Sequence, residues 1–150
     1  MADIGITMPR NDVVAGKYRT ERLGIGANAT LAMMLPGAAV MYDNNEHDVK
    51  ECTANAEIVG YLGYGMAHSS YKPATRDTAY SALGDEVPVH NGVGFLVRCP
   101  CVSTSFGKGD HLTSDASGWV KAATVGTDDI IGRVEKATSS ETSVWMLSMI

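Results

Sequence analysis

The chain has 150 residues, 45% hydrophobic and 19% charged, with a net charge of −5. That length and apolar content suffice for one ordinary domain whose core needs no disulfides. Lys and Arg are scattered without a basic cluster, which argues against a phosphate-neutralising nucleic-acid interface. No stretch reaches the ~18 apolar residues of a membrane span.

Sparse charge, 16 glycines and many Ser, Thr and Val predict short strands joined by tight turns. They also predict a surface that is partly covered by something else. Met1-Ala2-Asp3-Ile4-Gly5 has neither the basic start nor the apolar run of a signal peptide, so synthesis and retention in cytoplasm are expected.

Residues 1–30 carry Arg10, Asp12, Lys17, Arg19, Glu21 and Arg22, punctuated by Gly5, Gly16, Gly24 and Gly26. They read either as an extended arm with one short strand near Val13-Val14 or, equally, as a disordered terminus. A β-rich domain is expected from 31 to 150. Leu31 to Leu35 allows a helical turn that Pro36 stops. Strand-length runs follow at Ala38–Tyr42, Val49–Thr53 and Ile58–Tyr64. Ala74–Leu83, bracketed by Pro73 and Gly84, reads as a loop with a short helix. Glu86–Val89, closed by His90-Asn91-Gly92, carries an Asn-Gly hairpin signal. Val93–Cys99 is the clearest buried strand. His111–Thr113, Gly118–Lys121, Ile130–Val134 and Ser143–Ile150 complete the series. Many short strands at this spacing predict an all-β barrel or sandwich.

An internal repeat relates 36–64 to 108–136. Gly37 aligns with Gly109 and Gly60 with Gly132, each 72 positions on, while Val49-Lys50 matches Val120-Lys121. Each copy is a hairpin plus a returning strand and cannot bury its apolar face alone. The two copies are therefore expected to form superposable halves of one barrel or sandwich, and two that face each other can close a small barrel.

Chemistry-bearing clusters are few. Cys99-Pro100-Cys101 with His90 and His111 lacks the two-to-four-residue spacing and second pair of a structural zinc site. Cys99 and Cys101 are read as packed, reduced thiols, and the odd count of three cysteines with Cys52 argues against a disulfide framework. Asp43, Asp110, Asp115, Asp128 and Asp129 stand beside turn residues, which is turn chemistry rather than a paired acid and base. Tyr61, Tyr64, Tyr71 and Tyr80 are compatible with a sugar-stacking face, but such rings more often fill a core rim or a subunit contact.

The order Gly84–Val89, Asn91–Val97, Gly107–Val120, Ile130–Val134 and Val144–Ile150 resembles the small β-rich decoration, or cement, proteins of tailed-virus heads. The pattern extends over 31–150 and is best in 84–150. The resemblance implies a β-tulip-like barrel or sandwich with no catalytic residues and no cofactor. It implies a structural protein on the capsid exterior that binds the major capsid protein, often as a trimer, using an N-terminal segment on the shell. A viral fibre or carbohydrate-binding module for host attachment is the alternative, and a trimeric β-barrel enzyme a third reading. The cations Arg10, Lys17, Arg19 and Arg22 are the expected shell contacts of the arm. Trp145, Leu147, Met149 and Ile150 end the chain on an apolar strand and are the expected contacts of a homo-oligomer.

Overall fold

The computed structural model describes residues 14–63, 86–102, 105–139 and 142–150. The fold is all-β. Its strands are β1 (Val14–Ala15), β2 (Arg19–Ile25), β3 (Ala39–Asp43), β4 (Asn45–Glu51), β5 (Gly60–Leu62), β6 (Glu86–Asn91), β7 (Leu96–Pro100), β8 (His111–Ser114), β9 (Val120–Ala122), β10 (Gly132–Val134) and β11 (Ser143–Ser148). The helical signal at Leu31–Leu35 amounts to one 3-10 turn, Leu31–Met33. The helix expected over Ala74–Leu83 lies outside the described residues.

Strands β2-β4-β3-β5-β6 close a barrel, and β1-β7-β11-β10-β8-β9 form a six-stranded sheet. Alternation explains the strands that face one core. In β11, Val144, Met146 and Ser148 are buried, while Trp145 and Leu147 between them are half-exposed. In β7, Val97 and Cys99 point inward in the same way.

The repeat is real in three dimensions but larger than the sequence shows. In both copies the hairpin's first strand also pairs with the returning strand, giving β4-β3-β5 and β9-β8-β10. Backbone bonds recur at the same 72-residue offset. Gly37 N donates to Leu62 O as Gly109 N does to Val134 O, and Val59 N to Val40 O as Ile131 N does to Leu112 O. Each copy is completed by a following strand (β6 or β11) and by a preceding one (β2 or β7). In the first unit β2 pairs parallel with β4, at Ile25 and Val49. In the second a parallel bridge joins Cys101 to Val120, with Val102 N on Val120 O at 3.0 Å, the counterpart of Gly26 N on Val49 O at 2.9 Å.

Three expectations are corrected. The two copies do not share one barrel: the first lies in the closed five-strand barrel and the second in the six-stranded sheet, because the open edges of each are covered by local neighbours rather than by the other copy. The arm does not extend to residue 30. β2 pairs with β6 at six positions from Arg19 to Gly24, and Leu23 and Ile25 are buried. Its polar first half, Arg19-Thr20-Glu21-Arg22, runs along solvent, which hides the strand from a hydrophobic pattern. Finally, Asn91-Gly92 makes no hairpin. β6 and β7 belong to different sheets, and Gly92 and Gly94, at φ +137° and +89°, turn the chain from one to the other.

Two cores result. Leu23, Val40, Val49, Leu62, Val87 and Val89 fill the barrel, with Met34 buried among them. Phe95, Val97, Leu112, Val120, Val134, Val144 and Met146 form the second, which also takes in Ala39, Cys52 and Tyr61 from the barrel's outer face. The units are thus fused by a shared apolar layer. Trp119 crosses the other way. It packs on the barrel core, and its indole N–H donates to the Met33 carbonyl at 3.1 Å. Gly37 (φ +91°) lies so close to the second sheet that a side chain there would strike the Arg98 carbonyl.

Candidate interaction surfaces

Turn carboxylates are engaged with the backbone. Asp43 is buried and accepts from Asn28 N and Asn28 Nδ2, both at 2.9 Å. These bonds, aided by Lys50, hold its carboxyl below the usual range. Asp110 accepts from Gly107 N at 2.8 Å, Asp115 from Ser117 N at 2.7 Å and Asp128 from Thr124 N at 2.8 Å. This is the turn chemistry read from the sequence.

All three cysteines are free and buried. Burial pushes the thiols of Cys52 and Cys99 up, and Cys101 adds to the effect on Cys99. Protonated, enclosed thiols are poor nucleophiles. His90 is buried at the junction of the units. Its Nδ1 shares a hydrogen bond with the Thr20 hydroxyl at 2.9 Å, and its ring meets Tyr18 edge-on at 4.7 Å. Burial lowers its pKa to about 4. Among the described residues no three His, Cys, Asp or Glu side chains are grouped to hold a metal.

The structure scatters the expected contact residues. Arg10 lies outside the described residues. Lys17 is exposed between β1 and β2, and Arg19 and Arg22 are exposed on β2, part of the barrel wall rather than of an arm. Arg22 Nε approaches Glu86 Oε1 at 3.6 Å, an exposed pair that adds little stability. Trp145 and Leu147 share the outer face of β11. The Arg98 guanidinium lies 5.9 Å from the Trp145 ring, and its Nε donates to Ser143 Oγ at 3.2 Å. Arg98, Lys136, Thr138, Ser143 and Trp145 line a cleft of about 270 Å³. Met149 and Ile150 are 47% and 40% exposed past the end of the strand. Tyr61 is excluded from any sugar-stacking face. It is fully buried between the units, edge-on to Phe95 at 5.9 Å. Tyr64, Tyr71 and Tyr80 lie outside the described residues.

A groove that the sequence reading missed is lined from both repeat copies. Glu21, Met41, Tyr42, Glu57, Ile58 and Val59 line a hollow of about 390 Å³. Ala56, Glu57, Ile58, Asp129, Ile130, Ile131 and Ile150 line a neighbouring one of about 450 Å³. The repeat held a signal for it: Glu57-Ile58-Val59 and Asp129-Ile130-Ile131 are equivalent triplets, 72 positions apart.

No family model matches the chain, and no curated protein matches it. Among solved structures it is similar to the head fibre gp8.5 N base of bacteriophage phi29. The TM-score is 0.54 at 10% identity, over 88% of this chain and 94% of that one. At that identity the likeness is one of fold.

Proposed function

We propose that this chain is a non-enzymatic structural component of a tailed-phage head, seated on the outside of the capsid shell through the major capsid protein and assembled there as a homo-oligomer, a trimer being favoured. The observation that carries this reading is the likeness in fold to a phage head fibre base across nearly the whole of both chains. The pattern of strands and Gly-Asp turns shared with head decoration proteins supports it independently. So does the use of Asp43, Asp110, Asp115 and Asp128 as turn braces, with the thiols buried in cores, which leaves these groups in structural duty. Binding only the assembled lattice stabilises it by linkage, and joined subunits gain avidity from repeated sites.

A second reading, a fibre base that carries a host-attachment element, is favoured by the fibre base likeness itself. One experiment separates the two. Purified protein is mixed with heads of the encoding phage prepared without it, pelleted, and imaged by cryo-electron microscopy. Saturable density over the capsomer lattice is expected for decoration, and density confined to a few fibre positions for the second reading. Failure to pellet with heads at any concentration counts against both.

A further inference from the structure

The groove lined by the two repeat copies presents one chemistry twice. An acidic residue and an isoleucine precede β5 in the first unit (Glu57, Ile58) and β10 in the second (Asp129, Ile130). The fold sets these segments side by side. Asp129 N donates to Oδ1 of Asn55 at 2.9 Å, and Asn55 holds its turn at φ +57°. The two hollows share Glu57 and Ile58, so they form one continuous surface. Its apolar lining is mainly aliphatic and includes Tyr42. Its rim carries the carboxylates of Glu21, Glu57 and Asp129, and no Lys, Arg or His is among the described residues that line it. None of the three carboxylates is paired with a described cation.

A mainly aliphatic lining with an unneutralised acidic rim selects its occupant by charge as well as by shape. An extended segment places alternate side chains on one face. Two aliphatic side chains two residues apart can enter the two hollows, and cationic side chains at either end reach the rim. We propose that this groove docks an extended protein segment in which aliphatic side chains are flanked by Lys or Arg. The placing of that segment on another virion protein rests on the function proposed above. Its chemistry does not.

The test uses the full chain, isotope-labelled for nuclear magnetic resonance, and a blocked peptide with the sequence Lys-Thr-Ile-Thr-Ile-Thr-Lys, whose Lys and Ile share one face when extended. Expected are shifts at the amides of Glu57, Ile58, Asp129 and Ile130 that weaken with salt. Affinity should fall by about tenfold or more in the double variant Glu57→Lys/Asp129→Lys. Both residues are exposed, and an unchanged thermal melt of the variant checks its folding. Absence of shifts up to millimolar peptide overturns the proposal. So does equal binding of the peptide with Glu in place of Lys, or undiminished binding by the double variant. Self-association that the double variant abolishes would make the occupant a second copy and likewise overturn it. Pelleting with phage heads is scored separately. Wild type that binds peptide but not heads sinks the virion reading and leaves the groove standing, whereas a double variant that decorates heads normally and binds peptide normally does the reverse.

Discussion

Acidification should loosen this protein through His90 before its carboxylates titrate. The imidazole is only 8% exposed and is enclosed by Thr20, Tyr18 and Gly63. No described carboxylate faces it, and burial lowers its pKa from 6.5 to about 4. The sign follows from linkage. Above pH 6.5 the ring is neutral in both states and the stability is complete. Below 6.5 the unfolded chain takes up a proton that the folded chain refuses until about pH 4, so stability falls across that window and levels off beneath it. The displacement corresponds to about 3 kcal/mol, a sizeable share of the roughly 5–15 kcal/mol that holds a domain together. Urea unfolding at pH 7, 5.5 and 4.5 measures it. His90→Gln removes the titration while keeping a polar side chain of similar reach. The difference between wild type and variant should shrink steadily as pH falls from 6.5 to 4. A difference independent of pH would refute the reasoning, because it would place the proton on both states equally.

Three further outcomes are expected from calorimetry or denaturant melts. Gly37→Ala should cost about 3 kcal/mol or more, since it adds a collision with the Arg98 backbone to a positive φ, whereas its repeat counterpart Gly109→Ala, at φ +89° in open space, should cost about 1 kcal/mol; equal losses would deny the tight contact between units. Among the described residues the buried Tyr61 hydroxyl makes no well-formed hydrogen bond, Ser148 being its candidate partner, so Tyr61→Phe should leave stability unchanged or raise it by up to about 2 kcal/mol, and a loss above about 1 kcal/mol would reveal a bond to that oxygen. A chain beginning at residue 31 lacks β2 and the burial of Leu23 and Ile25, about 3–6 kcal/mol of apolar transfer, and should lose its cooperative transition; an unaltered melt would show that β2 is dispensable.

The sequence by itself determined the all-β class, most strand positions from β3 onward, the turn role of the aspartates and the 72-residue repeat. Each of these depends on local chemistry: alternation in β7 and β11, Asp beside Gly or Ser, and Gly37 and Gly109 at matching turns. Three features were decided only by tertiary structure. β2 is a barrel strand although Arg19 to Arg22 is polar, because its partner β6 supplies the pairing and just Leu23 and Ile25 need to face inward. Asn91-Gly92 redirects the chain instead of folding it back, since which sheet a strand joins depends on edges distant in sequence. The groove arises where Glu57-Ile58 and Asp129-Ile130 are brought together by Asn55. Nothing local to either triplet specifies that meeting. The packing of the two units against each other creates it.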